Sequence, residues 1–595
     1  MTFASVLGIV IGSVILFFVS LFIILGIAAS ATSTPAYHLT DNTIMKIDLK
    51  GTINERAVSN PFAVLMGKDA QSAGLNDILD AVKKAKEDDN IKGIYIKAGG
   101  IQTGFATLKT IRDALADFKE SDKFVVSYGD YYAQGDYYVC SLADKITMNP
   151  QGMVEFLGLS SQLQFYKGML EKAGVGMQIF KVGTYKSAVE PYMLDKMSDA
   201  NREQINAYKG DIWTSLLTDI SESRNISVED LNKYADEAFI FSKAETSVKN
   251  GFIDDLMYPD QLEAYLKELV GIDADGDLSL ASVKDISTIP SVNKKIAKDK
   301  IAVLFAEGEI VPDEYESNPF LSSDNVITAK KFVKELNKLQ KNENVKAVVF
   351  RVNSRGGSAY ASEQIWHAVK ELKAVKPVIV SMGDYAASGG YYISCAATQI
   401  VAEPTTITGS IGIFGMFPNA EQLAKKMGAT FDVAKTNEFA DFGGRSLSLP
   451  LIGLSILPSR PLNNREQALV QTYIENGYDL FLSRCADGRS KTKEEIDVIG
   501  QGRVWTGNQA LGLGLVDKIG NLNDAILLAA EASGIDDYDL KNYPAQKGAY
   551  EQLLESFGGM KAYAAKQYYG LDEYSSRILM NNLKNHDVRQ AIMMD

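Results

Sequence analysis

Hydrophobic positions along this chain fall into two regimes. From Phe3 to Ala29 apolar and small residues run without a break, and no Asp, Glu, Lys or Arg precedes Asp41. A run of that length can cross a bilayer. Residues 1–31 are therefore read as an N-terminal transmembrane helix, and 32–43 as a short tether. The run is longer than the apolar stretch of a cleavable leader and lacks its charged start. Ala29-Ser30-Ala31 still leaves a cleaved leader open, with a buried core helix as the remaining alternative. Without flanking charges, the pattern does not specify orientation. Further along, short β-prone runs alternate with helical spacings. Ala347 to Val352 is β-branched and aromatic, Ala361 to Lys373 has helical spacing, and Pro377 to Met382 is again apolar and β-prone. This order predicts an α/β fold with a largely parallel sheet and crossover helices.

The pattern occurs twice. Gly129 to Ala143 lies over Gly383 to Ala397 at an offset of 254, with eight of fifteen positions identical. The same offset pairs Ile91–Lys97 with Val345–Arg351, and Glu171–Gly174 with Lys425–Gly428. Asn201-Arg-Glu-Gln204 matches Asn464-Arg-Glu-Gln467 at offset 263, so the second copy carries nine extra residues, in or near the apolar stretch Leu447–Leu457. A repeat of this size implies two tandem domains. The expected boundaries are 44–293 for the first copy, 294–300 for a charged linker, 301–545 for the second copy and 546–595 for a C-terminal helical extension.

Composition narrows the function classes. A length of 595 residues accommodates at least two cores, and 46% hydrophobic with 23% charged residues describes a mainly folded, globular body. Lys plus Arg number 61 against 75 Asp plus Glu, a net charge of -14, which is the wrong sign for neutralising a phosphate backbone. No nucleic-acid partner is expected. Three cysteines (Cys140, Cys395, Cys485) suggest neither a disulfide framework nor a metal cluster. They read as buried thiols.

Candidate chemistry follows by elimination and then by asymmetry. The histidines, His38, His367 and His586, lie outside any Gly-rich turn at a strand end, so a Ser-His-Asp triad has no evident base. The phosphate-loop pattern is absent, and Gly512-Leu-Gly514 lacks the third glycine of a dinucleotide fingerprint. What remains are two Gly-rich junctions in the second copy. Val378 to Gly390 runs from a strand into a helix with Ser388 at the turn, a loose relative of the nucleophile elbow. Arg351 to Ser358 also follows a strand, and an amide of the Gly356-Gly357 turn together with that of Gly389 suits an oxyanion. Taken alone, both are also compatible with plain tight turns.

Comparison of the copies separates these readings. At the Ser388 position the first copy has Gln134, and at the Gly390 position it has Asp136. Conversely, Lys186 maps onto Ala440, whereas Lys181 maps onto Lys435. Each copy thus holds a group the other lacks. This suggests one composite site in which Ser388 attacks and Lys186 takes its proton. A base near neutrality requires lysine depressed by about 3 pH units from its free value of ~10.4. Burial between the domains is the expected cause, and Glu190 is expected to point away because its charge would oppose the shift.

At these residues the sequence resembles the signal peptide peptidase A family, also called protease IV, in its long duplicated form. The resemblance rests on Gly183–Pro191, Gly383–Tyr392, Thr408–Ile413, Gly502–Gly507 and Gly514–Asp517, and extends from the anchor to about residue 545. It implies two tandem Clp protease/crotonase-like domains and a membrane-anchored Ser/Lys serine endopeptidase that degrades cleaved signal peptides through an acyl-enzyme. It further implies a homotetramer in the bacterial inner membrane with a periplasmic catalytic body. By resemblance Ser388 is the nucleophile, Lys186 the base, Ser410 a lysine-orienting hydroxyl, and Gly389, Gly356 and Gly357 the oxyanion residues. No metal or cofactor is expected. Arg355 stands where a small residue or proline is expected, and the apolar insert suits a substrate- or membrane-facing element or buried packing. Two rivals are a non-catalytic membrane scaffold of the same fold and a crotonase-like acyl-CoA enzyme.

Overall fold

The structure, a computed structural model, describes residues 37–59, 71–290, 297–312, 326–444, 446–449 and 454–546, together with Gly12. The apolar run at 3–29, apart from Gly12, and the extension beyond Gln546 lie outside the described residues, as does the linker stretch 294–296. Among the described residues no helix is long and apolar enough to cross a membrane. Thr43, expected at the end of the tether, is buried and opens the first strand. Lys300, expected in the linker, likewise opens a strand.

In the first half, strands β1 (Thr43–Gly51), β2 (Ile91–Ile101), β3 (Phe124–Tyr132), β4 (Lys145–Val154), β5 (Gly176–Val182), β6 (Asp255–Leu256) and β7 (Leu280–Ser282) occur with helices α1 (Leu75–Glu87), α2 (Phe105–Lys119), α3 (Gln134–Cys140) and α4 (Asp199–Arg224). All but β5 form one sheet, in the order β6-β4-β3-β2-β1-β7. Its central pairs are parallel. Parallel neighbours need crossovers, which α1 and α2 supply on one face with Ile47 and Ile94, while the helix Pro259–Leu269 covers the other face at Ile44, Tyr95 and Val126.

The second half repeats the plan with β8 (Lys300–Glu307), β9 (Glu309–Val311), β10 (Val326–Thr328), β11 (Val345–Ser354), β12 (Val378–Ala387), β13 (Gln399–Ala402), β14 (Ile407–Gly409), β15 (Ile413–Asn419), β16 (Val504–Thr506), β17 (Lys518–Ile519) and β18 (Asp539–Tyr543). Its helices include α5 (Ala359–Lys373), α6 (Gly389–Ser394) and α7 (Asn464–Arg489). The main path is β16-β14-β12-β11-β8-β18, with β13 beside β12 and β17 beside β13. The sequence offset recurs in the elements: β2 and β11, α2 and α5, and β3 and β12 begin at equivalent positions. At the apolar insert, Ser446–Leu449 and Leu454–Pro458 pair antiparallel.

The halves are interlocked rather than strung together. β5 leaves the first-half sheet and pairs antiparallel with β15 of the second half along its whole length, from Gly176 opposite Asn419 to Val182 opposite Ile413. At the sheet-to-sheet contact, α2 meets β12. The Thr107 amide and hydroxyl both donate to Asp384, at 2.9 and 2.8 Å, and the Thr110 hydroxyl donates to Glu403 at 2.6 Å. Arg351, wholly buried, donates through Nε to Glu55 at 2.9 Å, and the other Glu55 oxygen accepts from Asn353. A buried pair of this kind contributes little net stability but is costly to break, because each partner leaves the other's charge uncompensated. It fixes how the halves dock.

Candidate active site

Ser388 caps the N-terminus of α6 at the end of β12. Its backbone has φ 55 and ψ -119, an uncommon conformation for a non-glycine residue that lifts the hydroxyl out of the turn. The turn is held by the Ser388 amide donating to Gly409 O at 2.9 Å. Gly390 is required by close approach, since a Cβ there would lie 2.5 Å from Ser354 O. The first copy solves the same turn differently. Gln134 Oε1 accepts from the amides of Leu157 and Gly158, both at 3.0 Å, while the buried Asp136 carboxylate accepts from Gly100 and Ile101 at 2.9 and 3.1 Å. Those groups close the site on itself and leave no nucleophile.

Lys186 follows the end of β5 after the turn Gly183-Thr184-Tyr185, so the cross-half strand delivers it to the second half. It is 4% exposed. Its Nζ lies 3.1 Å from Ser388 Oγ, 3.0 Å from Ser410 Oγ and 3.0 Å from Ser410 O. Burial alone lowers its pKa from 10.5 to about 7. In the neutral amine two N–H groups point to the Ser410 oxygens, and the lone pair remains for the Ser388 hydroxyl to donate into. Ser410, at φ 50, is fixed by its amide donating to Arg503 O at 2.7 Å. Glu190 is indeed directed elsewhere: its carboxylate accepts from the Ser198 amide and hydroxyl and from Asn201 Nδ2.

The two glycines of the Gly356-Gly357 turn are not equivalent. The Gly356 amide donates to Ser354 Oγ at 3.1 Å and is spent. Among the described residues the amides of Gly357 and Gly389 have no acceptor, and they sit side by side, since a Cβ on Gly389 would be 3.1 Å from Gly357 N. The oxyanion expectation therefore narrows from Gly356 or Gly357 to Gly357 with Gly389. Arg355 does not distort the turn; its guanidinium stacks on Tyr385, 4.2 Å from the ring centroid.

Sequence reasoning missed the clamp around the lysine. Gln204 Nε2 donates to Tyr185 O and Ser187 Oγ, both at 3.0 Å, while its Oε1 accepts from the Val504 amide at 3.1 Å. The Arg503 guanidinium lies 4.6 and 4.5 Å from the ring centroids of Tyr185 and Trp505 and pairs with Glu203 at 3.0 Å. Gly502, at φ +77, presses on the lysine backbone, and a Cβ there would lie 2.6 Å from Lys186 Cβ. The only advance signal was that both copies carry the Asn-Arg-Glu-Gln segment and that Gly502-Arg-Val-Trp stood out as a motif. His38 and His367 are exposed and are not among the residues lining the cleft, His586 lies outside the described residues, and the three cysteines are buried thiols.

Ser388 and Lys186 open onto a cleft of about 860 Å³, whose walls include Val311, Met416, Phe417, Leu469 and Ile474. One wall is β15. Among the described residues its paired strand is β5 alone, which leaves its other edge without a ladder partner.

Residues 117–273 and 370–536 match the family model of peptidase family S49, and residues 320–406 match that of Clp protease. The chain is 35% identical over 511 residues to Protease 4 of Haemophilus influenzae, covering 81% of this chain and 80% of that one. It is 34% identical over 532 residues to Protease 4 of Salmonella typhi, covering 86% and 82%. It is 28% identical over 503 residues to the chloroplastic serine protease SPPA of Arabidopsis thaliana, covering 84% and 71%.

Proposed function

The chain belongs to peptidase family S49, the signal peptide peptidase A or protease IV family of serine proteases, and from that premise we propose that Ser388 and Lys186 are its catalytic dyad. The observation that carries this reading is the 3.1 Å contact between a hydroxyl at a strand-to-helix elbow and an amine that burial brings to a pKa of about 7.

In the first step Ser388 Oγ attacks the scissile carbonyl carbon as its proton passes to neutral Lys186 Nζ. The carbonyl oxygen becomes an oxyanion facing the amides of Gly357 and Gly389, whose donors are fixed before reaction and need no reorganisation. On collapse the C–N bond breaks, and the Lys186 ammonium gives its proton to the leaving amine. Water then attacks the Ser388 ester with Lys186 again as base, releasing the acid and restoring the hydroxyl. Ser410 holds the amine in line throughout. The open edge of β15 suits an extended peptide by strand addition, and the apolar walls suit apolar side chains. Cleaved signal peptides are the substrate class in this reading. The run at 3–29 anchors the chain in a bacterial inner membrane with the catalytic body on its periplasmic side, and the chain assembles as a homotetramer.

A fluorophosphonate probe tests the dyad. Wild type is expected to label at one site per chain, and Ser388→Ala to lose the label while keeping the wild-type melting profile. Equal labelling of Ser388→Ala, or no labelling of folded wild type, overturns the assignment.

A further inference from the structure

Glu309 sits on β9 at the margin of the cleft, and its place there is fixed. The neighbouring Ile310 donates its amide to Gly356 O at 2.9 Å and accepts from the Ser358 amide at 2.7 Å, which ties β9 to the same turn that presents the Gly357 amide. On its other side β9 pairs with β10, Glu309 opposite Val326. Both edges of this strand are thus used, and the Glu309 carboxylate cannot swing away with its backbone. The side chain is exposed. Among the described residues that line the cleft, Glu309 and Lys186 are the only Asp, Glu, Lys or Arg. Lys186 must be neutral to act as the base, so the described lining of the working cleft carries one formal charge, the negative one of Glu309, among mostly apolar walls.

We infer that Glu309 is a specificity residue that receives a cationic nitrogen, either a lysine or arginine side chain or a free amino terminus, lying a short distance along an apolar peptide from the bond that is cut. The inference rests on the protease reading of the same site. The carboxylate is exposed, so such a contact is a modest one, and no cation among the described cleft residues competes for it while Lys186 is neutral. A peptide with an acidic side chain at that point meets like charge instead, so the discrimination has a repulsive arm as well as an attractive one. Glu309 makes no contact with the reacting atoms in this assignment, so its loss leaves the chemical step intact.

The test uses the full chain and a set of internally quenched apolar peptides that differ only by Lys, Gln or Glu walked through successive positions on both sides of the cleavage point. Each is made with a free and with an acetylated amino terminus. Wild type is expected to show one position at which Lys exceeds Gln in kcat/KM by at least about fivefold, with the ratio falling as salt is raised. Glu309→Gln is expected to bring that ratio near one, and Glu309→Lys to favour the Glu peptide. If the amino terminus is the cation, the free and acetylated forms differ instead, and Glu309→Gln removes that difference. Cleavage of neutral peptides with no charge preference in wild type, or a preference that survives Glu309→Gln, overturns the inference and leaves the protease reading standing. No cleavage of any peptide by wild type that also fails to label overturns both.

Discussion

Raising the pH from 6 to 8 should switch on acylation of Ser388 through the titration of one buried amine. The perturbation acts on Lys186, whose pKa burial lowers from 10.5 to about 7. That displacement corresponds to ~5 kcal/mol of differential destabilisation of the ammonium form. The neutral, reactive fraction is then about one tenth at pH 6, half at pH 7 and nine tenths at pH 8. An unperturbed lysine would be less than ~1% neutral at pH 8 and would still be gaining about tenfold per unit beyond it. The assay is the second-order rate of inactivation by a fluorophosphonate at constant ionic strength. The probe's leaving group needs no proton from the lysine, so the profile has a single rising limb and then a plateau. Among the described residues Glu307 and Glu403 are also raised by burial to about 7, inside the same window. Glu307→Gln and Glu403→Gln should therefore leave the midpoint where it is. A rate still climbing steeply above pH 9, or a midpoint that moves with either glutamate, refutes the assignment of the base.

Two further outcomes follow from close contacts. Gly502→Ala places a methyl 2.6 Å from Lys186 Cβ in a backbone conformation that disfavours alanine, so it should lower acylation by at least ~100-fold with the fold retained, read by probe labelling beside a thermal melt. Glu403 has a folded pKa raised above its unfolded value, so the native state binds the extra proton between about 4.5 and 7; its stabilisation is complete below that window and lost as pH rises through it. Glu403→Gln, which still accepts from Thr110, should accordingly raise the melting temperature at pH 8, by up to ~3 kcal/mol of stability, and change little near pH 4.5. An equal shift at both pH values would remove ionisation as the cause.

The docking of the halves explains why a duplicated chain ends with one site. The segment equivalent to β5 in the second copy, around 430–436, forms no strand, and neither does the segment equivalent to β15 in the first copy, around 159–165. Each half lacks the partner that the other provides. The β5 to β15 pairing satisfies both strands and carries Lys186 into the second half, while Asp136 and Gln134 bond the vacated elbow of the first half to its own amides. In the proposed reading the single nucleophile and the single base thus meet through one packing arrangement.

Much of this was legible in one dimension. Apolar periodicity and the 254-residue offset determined two α/β units of the same plan, and the mismatches Gln134 for Ser388 and Ala440 for Lys186 singled out the pair that meets. These are local patterns, set by backbone geometry and by which residue types a strand, helix or tight turn accepts. The tertiary structure alone decided the rest. It built the Gln204 and Arg503 clamp from segments some 300 residues apart, and set Glu309 beside an apolar trough. Those outcomes depend on which distant surfaces exclude water from each other. The lysine's depressed pKa belongs with them, since desolvation is a property of the assembled interface and of no residue by itself.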